Sequence, residues 1–401
     1  MSHSFIILAV AAALGQGAPA SAPPPPTVAP APATAAAPLP AVYELAFKIG
    51  STIPADPHER DRARMQQAVA LACREHGLLE DATRYASSIA GWRRPEALAL
   101  IGQSYVTQGQ ESKARDVLVK ATLLAQAEGE SYRDRVNTEV ARGYAMLNDL
   151  QHAAELAPPA SAAELCRLDV ARLTVLPADK LDEQADAFDR AIALKNFDIA
   201  RAAIDGYQVW LGRVATDAPR RSRALKALES AIPGLPLDLQ VAAHLRTAEA
   251  LWNAGLKPEA LEALARAQQI LSTGAFLPED VAPLLTPVAL AELKMVSADK
   301  ARATLASLRS RYEELKEQIV DLRRARSLRA LGEAWATLGD RQAAAACFAE
   351  ALEEGSRNPN ARPRAMDLCL TCVSMANVGM QPSKAMQERI EAIQAGLKDP
   401  W

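Results

Sequence analysis

The chain is poor in aromatic side chains and contains few runs of β-branched residues. Only 4% of its 401 residues are Phe, Trp or Tyr, although 49% are hydrophobic. Strands favour Val, Ile, Thr and aromatic side chains, whereas close-packed helices accept Ala and Leu. The composition therefore argues against a β-sheet and predicts an all-α protein with a substantial core.

An excess of positive charge is also absent. The sequence contains 45 Lys and Arg against 48 Asp and Glu, which gives a net charge of −3. Proteins that bind nucleic acid gain most of their affinity from a strongly basic face. The charge balance therefore gives no reason to expect a nucleic-acid partner.

Cysteine is scarce, and its five positions are scattered along the chain. An odd number without clustering does not make a disulfide framework. Cys369 and Cys372 form the single CxxC, but they lie inside a helical stretch with no nearby His or second CxxC to complete a zinc site. We expect both to pack as small core residues, and we expect no metal ion or cofactor.

Motifs that carry catalysis are missing too. The sequence contains no H-E-x-x-H, no G-x-S-x-G and no Gly-rich phosphate-binding loop. We therefore expect a protein that is not an enzyme. A closed ring of helices would bring distant acids together without a local motif, so a helical-toroid enzyme or carbohydrate-acting protein is the alternative.

The amino-terminal segment has the character of an export signal. Residues 5–14 are an apolar run too short to span a bilayer, and A-x-A cleavage sites end at Ala20 and Ala22. No Lys or Arg precedes the run, which departs from the usual pattern. We expect residues 1–20 to be a cleaved signal peptide and the Ala/Pro-rich residues 21–42 to be an extended linker. This predicts a secreted or periplasmic protein without an integral membrane segment; retention of the signal as an anchor is the alternative.

Residues 328–351 have the pattern of two amphipathic helices joined by a tight turn. Small residues at Gly332 and Ala344 let the helices approach closely, and Gly339 supplies a left-handed turn residue. Trp335, Phe348 and Ala351 complete the pattern. The same spacing recurs at Gly102, Tyr105, Gly109, Ala114, Leu118 and Ala121. Looser copies have their turns at Gly77, Asn148, Gly255, Val296 and Gly379.

This pattern resembles the tetratricopeptide repeat, whose signature runs L-G-x2-Y, then Gly, then A-x3-F-x2-A. The resemblance implies an α-α superhelix, a solenoid of antiparallel helical hairpins, over residues 43–401. It also implies a concave groove that binds a protein or peptide partner. Several turns lie farther apart than the family's period of about 34 residues, so HEAT-like or armadillo-like pairing is the structural alternative.

Prolines interrupt residues 158–237 repeatedly. Because proline ends helices, we expect either one continuous solenoid with an irregular joint in this region or two separate arrays. The exposed apolar ends of an uncapped solenoid would also permit self-assembly, which is a third functional alternative.

The resemblance assigns one face of each first helix to the groove. Arg326, Arg329 and Glu333 share such a face because they are spaced i, i+3 and i+7. We predict that these residues bind the partner, together with the residues at matching positions of other units: Arg64, Gln67, Gln103, Arg142 and Trp252. They do not reproduce the Lys and Asn clamp with which some family members hold a peptide carboxylate. The alternatives are a solvated charged flank and, for Trp252, core packing.

Overall fold

The computed structural model describes residues 40–156, 162–173 and 175–401, apart from the side chains of residues 162–165. These residues form nineteen α-helices and three short 3-10 turns, and they contain no β-strand. The predicted all-α class is therefore confirmed. Nine helices form an inner layer: α2 (Ala55–Glu75), α4 (Arg93–Thr107), α6 (Glu130–Met146), α8 (Ala162–Arg172), α10 (Phe197–Val214), α12 (Leu237–Asn253), α14 (Pro278–Met295), α16 (Asp321–Thr337) and α18 (Ala361–Asn377).

The other ten helices in these ranges pack outside the inner layer. Most of them are the second helix of a hairpin whose first helix is the preceding inner helix. They are α1 (Pro40–Ser51), α3 (Leu79–Ser87), α5 (Glu111–Ala125), α7 (Leu150–Leu156), α9 (Leu181–Ala193), α11 (Ala218–Ala231), α13 (Lys257–Thr273), α15 (Ala298–Leu315), α17 (Arg341–Ser356) and α19 (Lys384–Ala395).

The inner helices contact one another around a closed circuit. Each inner helix from α2 to α16 packs against the next inner helix, and α18 packs against α2. Most outer helices lie between their own inner helix and the following one. The predicted solenoid of antiparallel hairpins is confirmed, and it closes into a ring in which the two ends of the array meet.

Helix α1 occupies the outer position between α18 and α2, where it closes the ring. Its Tyr43 hydroxyl donates a hydrogen bond to Asn377 Oδ1 at 2.6 Å. Gly50 lies so close to both neighbours that a Cβ atom there would lie 3.0 Å from Met65 Cβ and 3.4 Å from Cys369 Sγ. Helix α1 therefore packs against α18 in the way that the second helix of a hairpin packs against its inner helix elsewhere in the ring.

Close approach within the hairpins follows the sequence pattern. A Cβ atom on Gly332 would lie 2.7 Å from Phe348 Cε1, and one on Gly102 would lie 2.8 Å from Leu118 Cδ2. Both contacts join the two helices of one hairpin. The small residues at these positions are therefore structural, as their spacing predicts.

The expected turn residues adopt left-handed backbone conformations, with one exception. Val296 has φ −118°, because a β-branched side chain is strained at positive φ. The chain instead enters α15 through Ser297, whose hydroxyl accepts a hydrogen bond from the backbone of Lys300 at 3.1 Å. The turn residues with positive φ that match the repeat pattern are Gly77, Gly109, Asn148, Gly255, Gly339 and Gly379.

The proline-rich region 158–237 contributes α8 to α11 to the ring in its described part. Pro219 lies in the first turn of α11, and Pro177 and Pro236 lie directly before helical segments, positions that tolerate a missing N–H. Trp210 is fully buried and donates from Nε1 to the Leu181 carbonyl at 2.8 Å. The described chain therefore runs through this region as part of the same ring, with its prolines at helix boundaries. Residues 157–161 and 174 lie outside the described residues.

The amino-terminal predictions fall almost entirely outside the structure. The expected signal peptide, residues 1–20, and residues 21–39 of the expected linker lie outside the described residues. The last three linker residues, Pro40 to Val42, instead form the first turn of α1. Proline suits this position because its fixed φ is helical and its missing N–H would have no partner in the first turn.

We predict that Gly50→Val destabilises the ring at its closure. The added side chain has to displace Met65 or Cys369, and overpacking of this kind costs about 1–3 kcal/mol. The free energy of unfolding, measured by denaturant titration, should fall by that amount. Gly212→Ala in α10 is the control, because nothing lies within 4 Å of its added Cβ. Equal stability of the Gly50 variant and the parent would contradict the tight seam.

Candidate functional site

A cavity of about 380 Å³ lies between three consecutive inner helices, α14, α16 and α18. On α16 its lining includes Ala330 and Ala334, which lie about 160° around the helix from Gly332. Because Gly332 contacts Phe348 of α17, the cavity faces away from the outer layer. Its complete lining is Pro283, Thr286, Pro287, Leu290, Arg326, Arg329, Ala330, Glu333, Ala334 and Ser374.

Glu333 is the half-buried acid of this cavity. Burial raises the pKa of its carboxyl group, while hydrogen bonds from Ser374 and Asn377 and the positive charge of Arg329 oppose the rise. Asn377 also accepts the hydrogen bond from Tyr43 of α1. A chain of polar contacts therefore connects the cavity to the helix that closes the ring.

Arg329 lines the cavity but is already paired. Its side chain is only 10% exposed, and its Nη1 lies 2.8 Å from Asp367 Oδ1 on α18. A buried pair of this kind holds two helices together, and breaking it leaves an uncompensated charge. Arg329 is therefore not the outward-facing cation that its spacing predicts.

Arg326 is exposed and lies where two cavities meet. Its Nη1 is 3.4 Å from Asp280 Oδ1 at the start of α14. A second cavity, of about 480 Å³, shares Arg326 and Pro283 with the first. Its other lining residues are Leu237, Asp238, Ala275, Phe276, Leu277, Asp280 and Leu284. The three residues predicted on α16 therefore come together at one cavity, and Arg326 extends it toward α12.

Of the predicted groove residues of α2, α4 and α6, Gln67 and Gln103 contact the next inner helix, whereas Arg142 pairs within its own helix. Gln67 is buried and donates to Glu96 Oε2 at 2.6 Å. Gln103 donates to the Glu139 carbonyl at 2.8 Å, and Arg142 lies 2.7 Å from the same residue's carboxylate. Arg64 is exposed. These side chains lie away from the α14–α16–α18 cavity.

Trp252 lies outside both cavities. Its ring is half-buried and packs against the hydrophobic clusters on both sides of α12. Lys257 Nζ lies 5.3 Å from the ring centroid, within cation–π range. This environment matches the core-packing interpretation of Trp252.

Cys369 and Cys372 are buried inside α18 and pack as small core residues, as predicted. Burial raises the pKa of both thiols. Cys369 contacts α1 through Gly50, so it belongs to the ring closure. Within the described ranges, no group of three His, Cys, Asp or Glu residues is arranged to hold a metal ion.

Sequence patterns missed the α14 wall of the cavity. Pro283 and Pro287 lie inside α14, one turn apart. Proline has no N–H, so Pro283 leaves the Glu279 carbonyl without its helical partner. Ser327 of α16 approaches that carbonyl at 3.5 Å. Two prolines at i and i+4 within an otherwise helical run were the available signal.

Comparisons with known proteins add little to these observations. No protein-family model and no curated protein matches the chain. A solved structure described as "Circular tandem repeat protein with novel repeat topology and enhanced subunit contact surfaces" is 12% identical and has a TM-score of 0.25. That match covers 89% of this chain and 94% of the other. A TM-score this low does not establish a shared fold. The evidence for the ring is therefore the set of contacts between this chain's own helices. Among the helices that the structure describes, none combines the length and apolar character needed to cross a membrane.

We predict that Glu333→Gln makes the protein more stable at neutral pH. Because the folded pKa lies above the unfolded value, ionisation of Glu333 lowers the free energy of unfolding as pH rises. The gain from Gln should therefore be present above the folded pKa and disappear below the ordinary value of 4.5. Denaturant titrations across this pH range measure it. Glu262→Gln, at an exposed position of α13, is the matched control. A gain at Glu333 that does not change with pH would contradict the assignment.

Proposed function

We propose that this ring of helical repeats is a non-enzymatic scaffold that binds a peptide or protein segment on its interior face. The observation that supports this best is the α14–α16–α18 cavity, which faces away from the outer helices and carries the exposed Arg326 beside the half-buried Glu333. Apolar prolines and Leu290 alternate there with polar groups that can fix a partner's orientation.

The ring geometry limits the shape of such a partner. If the nine described inner helices are spaced about 9 Å apart around a circle, the axes of helices on opposite sides of the ring are about 26 Å apart. Subtracting one helix diameter of about 11 Å leaves an opening of about 15 Å. An extended strand or a single helix fits this opening, whereas a folded domain would have to bind at the rim.

Assignment to the tetratricopeptide class is part of the proposal. It is supported by the Gly332–Phe348 and Gly102–Leu118 contacts, which place small and large residues where the family pattern has them. The repeats here would be lengthened and degenerate members of that class.

An enzyme is the weaker alternative. The closed ring and the raised pKa of Glu333 favour it, because an acid in a cleft with a raised pKa is suited to proton transfer. However, the nearby Asp367 is held by Arg329 and is not available as a partner for Glu333. Self-assembly through exposed array ends is less favoured, because α1 and α2 pack against α18.

We also propose a location in the cell envelope or outside the cell. The support is the apolar run at residues 5–14 and the small residues that follow it.

If the signal is cleaved at the expected sites, amino-terminal sequencing of the exported protein should begin at Ser21 or Pro23. An intact Met1 on exported protein would contradict cleavage.

We predict that a photo-crosslinking amino acid placed at residue 330 captures a discrete partner from the native envelope fraction. Ala330 lines the cavity, so a bound segment should lie within reach of the reactive group. The control position is Leu123, which is 61% exposed on the outer helix α5. Adducts resolved by mass spectrometry should appear from position 330 and be absent from position 123. Identical adducts from both, or none from position 330, would contradict interior binding.

A further inference from the structure

A cluster of aromatic and cationic side chains surrounds the start of α4. Trp92 stacks on Tyr132 of α6 with ring centroids 5.0 Å apart and planes within 5° of parallel. The guanidinium carbons of Arg93 and Arg135 lie 4.6 and 4.8 Å from the centroid of the Trp92 ring. Tyr132 is 40% exposed, so a flat aromatic surface flanked by arginines is open to solvent.

The buried carboxylate of this cluster is already occupied. Glu96 is only 5% exposed, and its Oε1 lies 2.5 Å from Arg135 Nε. Its Oε2 accepts a hydrogen bond from Gln67 at 2.6 Å. Glu96 therefore compensates Arg135 and holds α2, α4 and α6 together.

Arg93 is held differently from Arg135. It is half-buried, and in the part of the chain that the structure describes it forms no ion pair. Its Nη1 donates to the neutral Gln67 Oε1 at 2.5 Å. The Nε and Nη2 donors on the other edge of the guanidinium have the fork geometry that suits a carboxylate.

The neighbouring charges add to the positive character of the cluster. Asp61 of α2 lies 3.0 Å from Arg64 and 3.1 Å from Arg362 of α18, so two arginines share it. Burial lowers the pKa of Arg93, and repulsion from Arg64 and Arg135 lowers it further, whereas the carboxylates of Glu96 and Asp61 oppose the change. Among the described contacts of this cluster, the guanidinium groups of Arg64, Arg93, Arg135 and Arg362 are accompanied by the carboxylates of Asp61 and Glu96.

We propose that this cluster binds an acidic segment of the partner, with Arg93 receiving a carboxylate and the Trp92–Tyr132 stack receiving an adjacent apolar or aromatic side chain. The inference rests on the proposed function, because it names the chemistry of the segment that the ring interior would hold. The carboxylate comes either from an Asp or Glu side chain or from a chain terminus. Both supply the same planar anion.

The test uses full-length protein and fluorescently labelled synthetic peptides in anisotropy titrations. One peptide carries two Asp residues next to Phe, a second carries Asn in place of Asp, and a third carries Lys. Each peptide is made with a free and with an amidated carboxyl terminus, which separates side-chain from terminal recognition. We expect the Asp peptide to bind most tightly and its affinity to fall as salt is raised.

Arg93→Gln should weaken binding of the Asp peptide by about 10-fold or more, as expected for loss of a charge-assisted hydrogen bond. Arg93→Lys should give an intermediate affinity, because it keeps the charge but loses the fork. Tyr132→Ala tests the aromatic surface at an exposed position and should weaken binding of the peptide that contains Phe. Arg201→Gln, at an exposed arginine of α10, is the matched control and should leave affinity unchanged.

Equal affinity for the Asp and Asn peptides would overturn the inference, as would unchanged binding by Arg93→Gln. Preferential binding of a single-stranded oligonucleotide, lost in Arg93→Gln, would overturn it in favour of nucleic acid. Crosslinking from residue 330 keeps this outcome separate from failure of the proposed function. A partner captured there equally by the parent and Arg93→Gln would leave interior binding standing and reject only the acidic site.

Discussion

The structure depends on the apolar face of α1, which packs between α18 and α2. Open solenoids leave apolar faces at their ends, and here one helix covers both ends at once. The largest hydrophobic cluster accordingly contains Ile49 from the start of the described chain and Cys369 from near its end. The Tyr43–Asn377 hydrogen bond joins residues 334 positions apart. Because loop-closure entropy grows only slowly with length, such a distant contact adds a modest cost once the intervening hairpins are formed.

Ring closure and the interior cavity are physically connected. Asn377 accepts from Tyr43 on one side and hydrogen-bonds with Glu333 on the other. Cys369 of α18 packs against Gly50 of α1, and α18 also presents Ser374 to the cavity. Displacement of α1 would therefore disturb the groups that set the ionisation of Glu333, so the cavity depends on a helix that does not line it.

Local sequence patterns predicted the contacts within hairpins but not the contacts between them. The Gly332–Phe348 approach follows from spacing inside one hairpin, and the shared face of Arg326, Arg329 and Glu333 follows from helical periodicity. Ring closure has no local signal because its partners are distant in the chain. The burial of Gln67 was missed for a related reason. Its amide bridges Arg93 and Glu96, and that requirement appears only when α2 and α4 lie side by side.

The pairing of each interior charge decides what it can offer a partner. Arg329 is held by Asp367, so a ligand carboxylate would have to compete with a carboxylate already in place. Among the described contacts, Arg93 hydrogen-bonds to the neutral amide of Gln67 and feels Glu96 and Asp61 only without direct pairing, so an incoming carboxylate would not have to displace an ion pair. In a partly buried site such an interaction is strong because solvent screens it less. A helix position that the sequence pattern predicts to be exposed is therefore a poor criterion for a partner-binding residue. A better criterion is whether another group of the protein already forms an ion pair with that side chain.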